Sequence, residues 1–172
     1  ESCTGGLLGH RITNVSGSSS VFWGSIISYS NEVKTKVLAV QEKTLRQYGA
    51  VSVEVAKEMA QGARENMNLD IAISTTGIAG PGGGSEKKPV GTVGIGIKTK
   101  LKQHSEIYHF KGDRQMLKRK FSALKSLVRR ATAVAVFVAT IRIADRYLAK
   151  IAVDLNSRTA AQELYVATQE NN

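Results

Sequence analysis

Apolar and polar positions along the chain follow a helical period in some segments and a strand period in others. The clearest helical segment is residues 53–67, whose apolar positions recur at i, i+3, i+4, i+7 and i+11 on one face. These positions are Ala56, Met59, Ala60, Ala63 and Met67. Ser52 directly precedes this segment and is predicted to cap it. Shorter helices are predicted over residues 7–12, 31–40 and 41–48.

Strands are predicted where β-branched and aromatic residues cluster or where apolar residues alternate with glycine. The predicted strands cover residues 20–28, 69–75, 91–98 and 103–110, and helix is predicted from Asp113 to at least residue 130. In the segment GTVGIGIK, residues 91–98, the alternating glycines indicate that another group closely approaches the strand backbone. The order of elements predicts a three-layer α/β sandwich with a mixed, mostly parallel sheet.

The composition is that of a folded domain, and it indicates in which cellular compartment the protein is expected. The 172 residues are 42% hydrophobic, and the single cysteine, Cys3, excludes an intrachain disulfide framework. The longest charge-free apolar stretch, residues 131–141, is far shorter than the roughly 20 residues of a membrane helix. The opening residues lack the basic-then-apolar pattern of a signal peptide. We therefore expect a soluble, cytoplasmic protein with no membrane partner.

The net charge of +10 favours anionic partners, either a phosphorylated small molecule or nucleic acid. Residues 111–130 hold eight basic side chains and one acidic one, Asp113. Two interpretations stay open: a solvated helix face, or a binding stripe for nucleic acid or an acidic protein. Only one aromatic residue, Phe121, interleaves with these bases, which favours the first interpretation, so nucleic acid is not expected as a partner.

Two glycine-rich segments are candidate anion sites. Residues 76–85, TGIAGPGGGS, follow a predicted strand, and their backbone N–H groups suit an anion cradle, although a flexible connection would explain them too. The opening ESCTGG precedes a helix, where the N–H groups of Thr4, Gly5 and Gly6 are available to a phosphate. The alternative is ordinary helix capping by Ser2 or Thr4.

A third candidate site combines serines with a lysine. GSSS at residues 17–20 precedes SYSNEVK at residues 28–34, and a desolvated lysine can deprotonate a serine without a histidine. Cys3 is more typical of a buried, inert thiol than of a nucleophile. The three histidines have no metal-binding spacing, so no metal site is predicted.

Taken together, five segments resemble one family. ESCTGGLLGHRIT, GSSSVFWGSIISYSNEVKTKVL, YGAVSVEVAKEMAQGAREN, TTGIAGPGGGSEKKPVGTVGIGI and FKGDR look like the C-terminal domain of CinA, the PncC-type nicotinamide mononucleotide (NMN) deamidases. The resemblance covers residues 1–130, about three quarters of the chain. It implies a compact α/β domain, usually a dimer, that hydrolyses NMN to nicotinic acid mononucleotide and ammonia in pyridine nucleotide recycling, with no metal or cofactor.

The resemblance also implies a set of site residues. Ser19 is the favoured nucleophile, Lys34 the base and later acid, and Tyr29 an orienting group, while the choice between Ser2 and Ser19 stays open. The resemblance implies that Thr76 and the glycine N–H groups stabilise the oxyanion. It implies that Arg114 binds the phosphate, with help from Ser2, Thr4 and Gly5. The remaining substrate-binding positions are Asn31, Gly77 and Gly80. An alternative of another class is a non-catalytic CinA-like module whose basic helix binds nucleic acid or an acidic protein.

The tail, residues 131–172, departs from the family pattern. The family places a helix and a strand before ESCTGG, and the tail holds a helix-like segment, residues 141–150, followed by ELYVATQE, which resembles that strand. We therefore expect the tail to complete the same domain, by circular permutation or by exchange with a partner. The alternative is a frayed helical extension.

Overall fold

The computed structural model describes residues 1–123, which belong to two compact units. The first unit comprises residues 1–9 and 24–123, and residues 10–23 belong to the second. The helices are α1 (Leu7–Thr13), α2 (Asn31–Leu38), α3 (Glu42–Tyr48), α4 (Val53–Asn66) and α5 (Arg114–Phe121), with a 3-10 helix at Ser18–Ser20. The strands are β1 (Ile71–Gly77), β2 (Thr92–Thr99) and β3 (Gln103–His109).

The sheet of the described residues has three strands in the order β1-β2-β3, and both pairings are antiparallel. The mixed α/β character is as predicted, but the expectation of a mostly parallel sheet is wrong for this part of the chain. Residues 100–102 alone join β2 to β3, and so short a connection can only link antiparallel strands. The three-layer arrangement stays a prediction, and the proposed role of the tail falls on residues outside the described range.

The predicted strand over residues 20–28 is also wrong. In the part of this segment that belongs to the first unit, the backbone forms hydrogen bonds with Glu1. Ser28 N donates to Glu1 O at 2.8 Å, and Glu1 N donates to Ile26 O at 2.7 Å. The β-branched and aromatic residues favour extended backbone, but a strand needs a continuous ladder of partners. The segment is therefore a connection that is fastened to Glu1 at one point.

Helix α4 begins where the sequence predicts and packs directly on strand β2. The Ser52 side chain accepts a hydrogen bond from Val55 N at 3.2 Å, which is an N-cap. A Cβ added to Gly94 would lie 2.9 Å from Ser52 O, and one added to Gly96 would lie 2.3 Å from Ala56 O. The predicted close approach to this strand is confirmed, and the approaching group is the backbone of α4.

The core between α2 and α4 fixes the helix that carries Lys34. Leu38 and Val40 pack against Val55 and Met59, and all four are at most 2% exposed. Burial of such side chains stabilises the fold by roughly 1.5–3 kcal/mol each. Gly62 lets the helices meet, because a Cβ there would lie 1.8 Å from Leu38 O. Helix α2 therefore has little freedom to shift. No helix in residues 1–123 is long and apolar enough to cross a membrane.

Candidate functional site

A cavity of about 210 Å³ opens in the first unit, between the ESCTGG segment and the ends of β1, α2 and α5. Seven of the residues singled out from the sequence line it: Ser2, Tyr29, Asn31, Lys34, Thr76, Gly77 and Arg114. Its other lining residues are Cys3, Ala50, Val51 and Ala79. The described residues of this lining include no carboxylate, and Arg114 keeps its positive charge at all relevant pH values, so the cavity favours an anionic ligand.

Lys34 is one of these lining residues, and its side chain is almost completely buried, at 1% exposure. It belongs to the first turn of α2, which Ser30 caps by accepting a hydrogen bond from Val33 N. Side chains on a helix tilt toward its N-terminus, so the Lys34 amine reaches back past the start of α2. There it lies 2.8 Å from Ser28 O and 3.1 Å from Tyr29 O.

The third contact of the amine is with a serine: Lys34 Nζ lies 3.2 Å from Ser2 Oγ. A neutral amine has two hydrogens and one lone pair, and carbonyl oxygens only accept hydrogen bonds. In the structure the Lys34 amine donates to all three groups, Ser2 Oγ included, which suits its protonated form. Once the amine is neutral, the carbonyls of Ser28 and Tyr29 keep its two hydrogens, and its lone pair is directed at the Ser2 hydroxyl. In this arrangement the neutral amine can accept the proton of Ser2.

The surroundings of Lys34 also favour the neutral form. Burial lowers the pKa of the Lys34 amine from its ordinary value, and this effect outweighs the opposing influence of Cys3. Cys3 is itself buried, and burial raises the pKa of its thiol to about 12. Cys3 is therefore a neutral wall of the cavity rather than a thiolate nucleophile.

The carboxylate of Glu1 fixes the turn that carries Ser2. It is 7% exposed and accepts hydrogen bonds from Gly6 N at 3.1 Å, Leu8 N at 3.0 Å and Gly9 N at 2.7 Å. The Thr4 hydroxyl adds a fourth at 2.6 Å. Burial alone would raise the pKa of the Glu1 carboxyl, but the hydrogen bonds from Thr4, Gly9 and Leu8 lower it overall.

This carboxylate occupies the place that the sequence assigned to a phosphate. Gly6 N–H donates to Glu1, Gly5 N donates to Ser2 O at 3.1 Å, and the Thr4 hydroxyl is buried against Glu1 and Thr75. Thr4 and Gly5 do not line the cavity. The predicted alternative, capping of α1 by Ser2 or Thr4, is not what the structure shows either: the group that accepts from the helix N–H groups of Leu8 and Gly9 is the Glu1 carboxylate.

At the end of β1, Thr76 and Gly77 are oriented differently. Thr76 Oγ1 donates to Ala50 O at 2.8 Å, so its hydroxyl hydrogen is directed at the cavity wall and not into the cavity. Ser2 N donates to Thr75 O at 2.9 Å, which places the N–H and C=O of Thr75 at the edge of β1 away from β2. Two residues further on, the N–H of Gly77 points to that same edge, beside the cavity.

Arg114, the first residue of α5, ties the glycine-rich loop to the cavity. Its Nη1 donates to Gly80 O at 2.6 Å, so Gly80 positions the arginine although it does not line the cavity itself. Of residues 76–85, the cavity lining includes Thr76, Gly77 and Ala79. The three glycines at residues 82–84 do not line the cavity, so the predicted cradle is smaller than the sequence suggested.

The rim of the cavity is made by exposed residues of two segments. Tyr29 is 66% exposed, and Asn31 at the start of α2 is exposed beside it. Ala50 and Val51 form a wall that the sequence did not indicate, because small apolar residues in a connection carry no chemical signal. The favoured nucleophile, Ser19, is an exposed residue of the 3-10 helix in the second unit, and it is not among the cavity-lining residues.

Comparison with known proteins identifies relatives of this arrangement. A family model described as the CinA C-terminal domain matches residues 1–130. A CinA-like protein of Chloroherpeton thalassium is 54% identical over 134 residues, which are 75% of this chain and 32% of that protein. A CinA-like protein of Chlorobaculum tepidum is 50% identical over 135 residues, 74% of this chain and 32% of that protein. The chain thus spans about a third of the length of these curated relatives.

Solved structures share the fold. A CinA superfamily protein from Escherichia coli superimposes with a TM-score of 0.70 at 33% identity, covering 74% of this chain and 75% of that one. A competence damage-inducible protein A from Klebsiella pneumoniae superimposes with a TM-score of 0.72 at 31% identity, covering 76% and 83%. The α/β fold of the described residues is therefore a fold seen in solved structures of this group.

Proposed function

Because the chain belongs to the CinA C-terminal domain family, we propose that it is an amidohydrolase that converts NMN and water into nicotinic acid mononucleotide and ammonia. The observation that carries the proposal is the contact between Lys34 Nζ and Ser2 Oγ, 3.2 Å apart at the wall of a cavity whose lining has no carboxylate among the described residues. A buried lysine beside a serine can act as the base that makes the serine a nucleophile, and such a pairing suits amide hydrolysis.

The first half of the reaction forms an ester on the protein. Ser2 Oγ attacks the carboxamide carbon of NMN as its proton passes to Lys34 Nζ, and a C–O bond forms. The negative charge on the amide oxygen is stabilised by the N–H of Gly77. The tetrahedral intermediate then breaks its C–N bond, and Lys34 returns the proton to the leaving nitrogen, which departs as ammonia.

The second half releases the acid. Water replaces ammonia in the cavity, Lys34 takes a proton from it, and the resulting hydroxide attacks the ester carbon. The C–O bond to Ser2 breaks, Ser2 recovers its proton from Lys34, and nicotinic acid mononucleotide leaves. In this assignment Ser2 replaces Ser19 as the favoured nucleophile, Tyr29 and Asn31 contact the substrate at the rim, and Arg114 attracts its phosphate.

The direct test measures ammonia released from NMN by the purified chain. We expect turnover with NMN and no ammonia from nicotinic acid mononucleotide, which lacks the amide. The matched control is Lys36→Met, which removes an exposed lysine of the same helix that pairs only with Glu32. A purified, folded protein that releases no ammonia from NMN would contradict the proposal and favour the non-catalytic alternative.

A second expected outcome concerns pH. The base must be unprotonated to accept the proton of Ser2, so kcat/KM for NMN should rise with pH and level off above the pKa of Lys34. Since burial lowers that pKa, the plateau should begin below the pH at which an exposed lysine loses its proton. Initial rates between pH 5 and pH 10 check this. Tyr29→Phe should keep the rising limb, and a profile that is flat or falls with pH would exclude Lys34 as the base.

A further inference from the structure

The cavity of about 210 Å³ has a buried end and an exposed mouth, and Tyr29, Asn31 and Arg114 line the mouth. The buried Lys34 and Ser2 mark its reactive wall, so a substrate with its amide there directs its phosphate toward the mouth. The turn formed by Thr4, Gly5 and Gly6 is not available to that phosphate. Glu1 accepts from the Thr4 hydroxyl and from Gly6 N, and Ser2 O accepts from Gly5 N.

Helix α5 offers two cations on one face beside this mouth. Arg114 lines the cavity, and Lys118 follows it by four residues, one turn and about 6 Å along the helix. Lys118 is half-buried, and its Nζ would lie 3.7 Å from a Cβ added to the exposed Gly5. The Lys118 amine therefore lies against the outer side of the ESCTGG turn.

Neither cation has an acidic partner among the described residues. Ion pairs between described residues join Lys36 to Glu32, Arg46 to Glu42, Lys100 to Asp70 and His104 to Glu106, and none of these four involves Arg114 or Lys118. Like charges four residues apart destabilise a helix slightly, and this cost is removed when an anion lies between them. Two cations on one helix face are suited to a phosphate, which accepts charged hydrogen bonds from both.

We propose that Lys118, with Arg114, binds the 5′-phosphate of the substrate and so sets a preference for nucleotide over nucleoside. The inference rests on the proposed function for the identity of the substrate. The interaction involves the phosphate and not the reacting amide, and it is the same before and after the amide is attacked, so it affects binding and not the chemical step.

The kinetic test compares NMN with nicotinamide riboside, which lacks the phosphate. Lys118→Met should raise KM for NMN about tenfold with kcat nearly unchanged, and it should leave the kinetics of the riboside unaltered. Lys118→Arg should retain most of the affinity, because it keeps the charge. Lys100→Met is the matched control: it removes one exposed lysine at the far end of β2, and its KM should equal that of the unaltered protein.

A binding measurement separates this inference from the proposed function, since it needs no turnover. Inorganic phosphate, titrated alone, should shift the backbone amide resonances of Gly5 and residues 114–118 in the unaltered protein and in Lys100→Met, but not in Lys118→Met. A protein that binds phosphate in this way but does not hydrolyse NMN would contradict only the proposed function. The inference is overturned if Lys118→Met keeps the same phosphate shifts, or if it weakens NMN and the riboside equally.

Discussion

Replacement of Lys34 by methionine should lower kcat for NMN by about 10²–10⁴-fold, the usual loss when a general base is removed. Methionine keeps the length of the buried stem but has no lone pair of comparable basicity to take the proton of Ser2. Lys34→Arg should fail as completely, because a guanidinium does not deprotonate in proteins. Initial rates of ammonia release, with thermal melting to check the fold, measure both effects.

The control for this substitution lies two residues away in the same helix. Lys36 is exposed and forms a surface ion pair with Glu32, so Lys36→Met should keep both turnover and stability. Lys34→Met leaves the carbonyls of Ser28 and Tyr29 without a donor, at a cost of about 1–3 kcal/mol each, but it also removes a cation that burial disfavours. If the folded variant keeps more than about a tenth of the normal kcat, the lysine is not the base.

Replacement of Ser2 by alanine should lower kcat by about 10³-fold or more, because the reacting oxygen itself is lost. Ser19→Ala is the matched comparison, with the same atom removed at the other serine that the family motifs indicate. We expect Ser19→Ala to keep its kcat, since in the proposed mechanism the serine that contacts the amine of Lys34 is Ser2. Steady-state kinetics of the two variants with NMN decide the choice.

Two further measurements test whether Ser2 is the nucleophile. In a serine–lysine pair that acts as a unit, Ser2→Ala combined with Lys34→Met should be scarcely slower than either single variant. Rapid mixing should reveal a burst of ammonia from the unaltered protein if the ester on Ser2 accumulates. Loss of kcat in Ser19→Ala, with normal kcat in Ser2→Ala, would restore the assignment favoured from the sequence.

Local elements of this fold were predictable because local signals specify them. Helix α4 begins at a serine cap and carries its apolar stripe on one face, and both features follow from neighbouring residues. The direction of the sheet did not follow from the pattern, because alternation of side chains is the same in parallel and antiparallel strands. The short connection at residues 100–102 was the available signal for antiparallel pairing.

The site was only partly predictable, because its contacts join distant parts of the sequence. The family resemblance indicated Ser2, Tyr29, Lys34 and Arg114, and these residues line one cavity. It did not show that the Lys34 amine reaches Ser2, since that contact depends on how α2 packs against α4. Lys118 was hidden in a basic run that is typical of a solvated helix face, and only its place beside Gly5 distinguishes it.

The seating of α4 on β2 has a consequence for redesign of substrate range. Gly94 does not touch the cavity, yet the carbonyl of Ser52 rests against it, and Ser52 follows directly on the wall residues Ala50 and Val51. A methyl group at position 94 would lie 2.9 Å from the Ser52 carbonyl oxygen, so we expect it to displace this corner of the molecule together with the adjoining wall. The width of the cavity should then depend on a residue outside its lining, which libraries that vary only the lining would not sample.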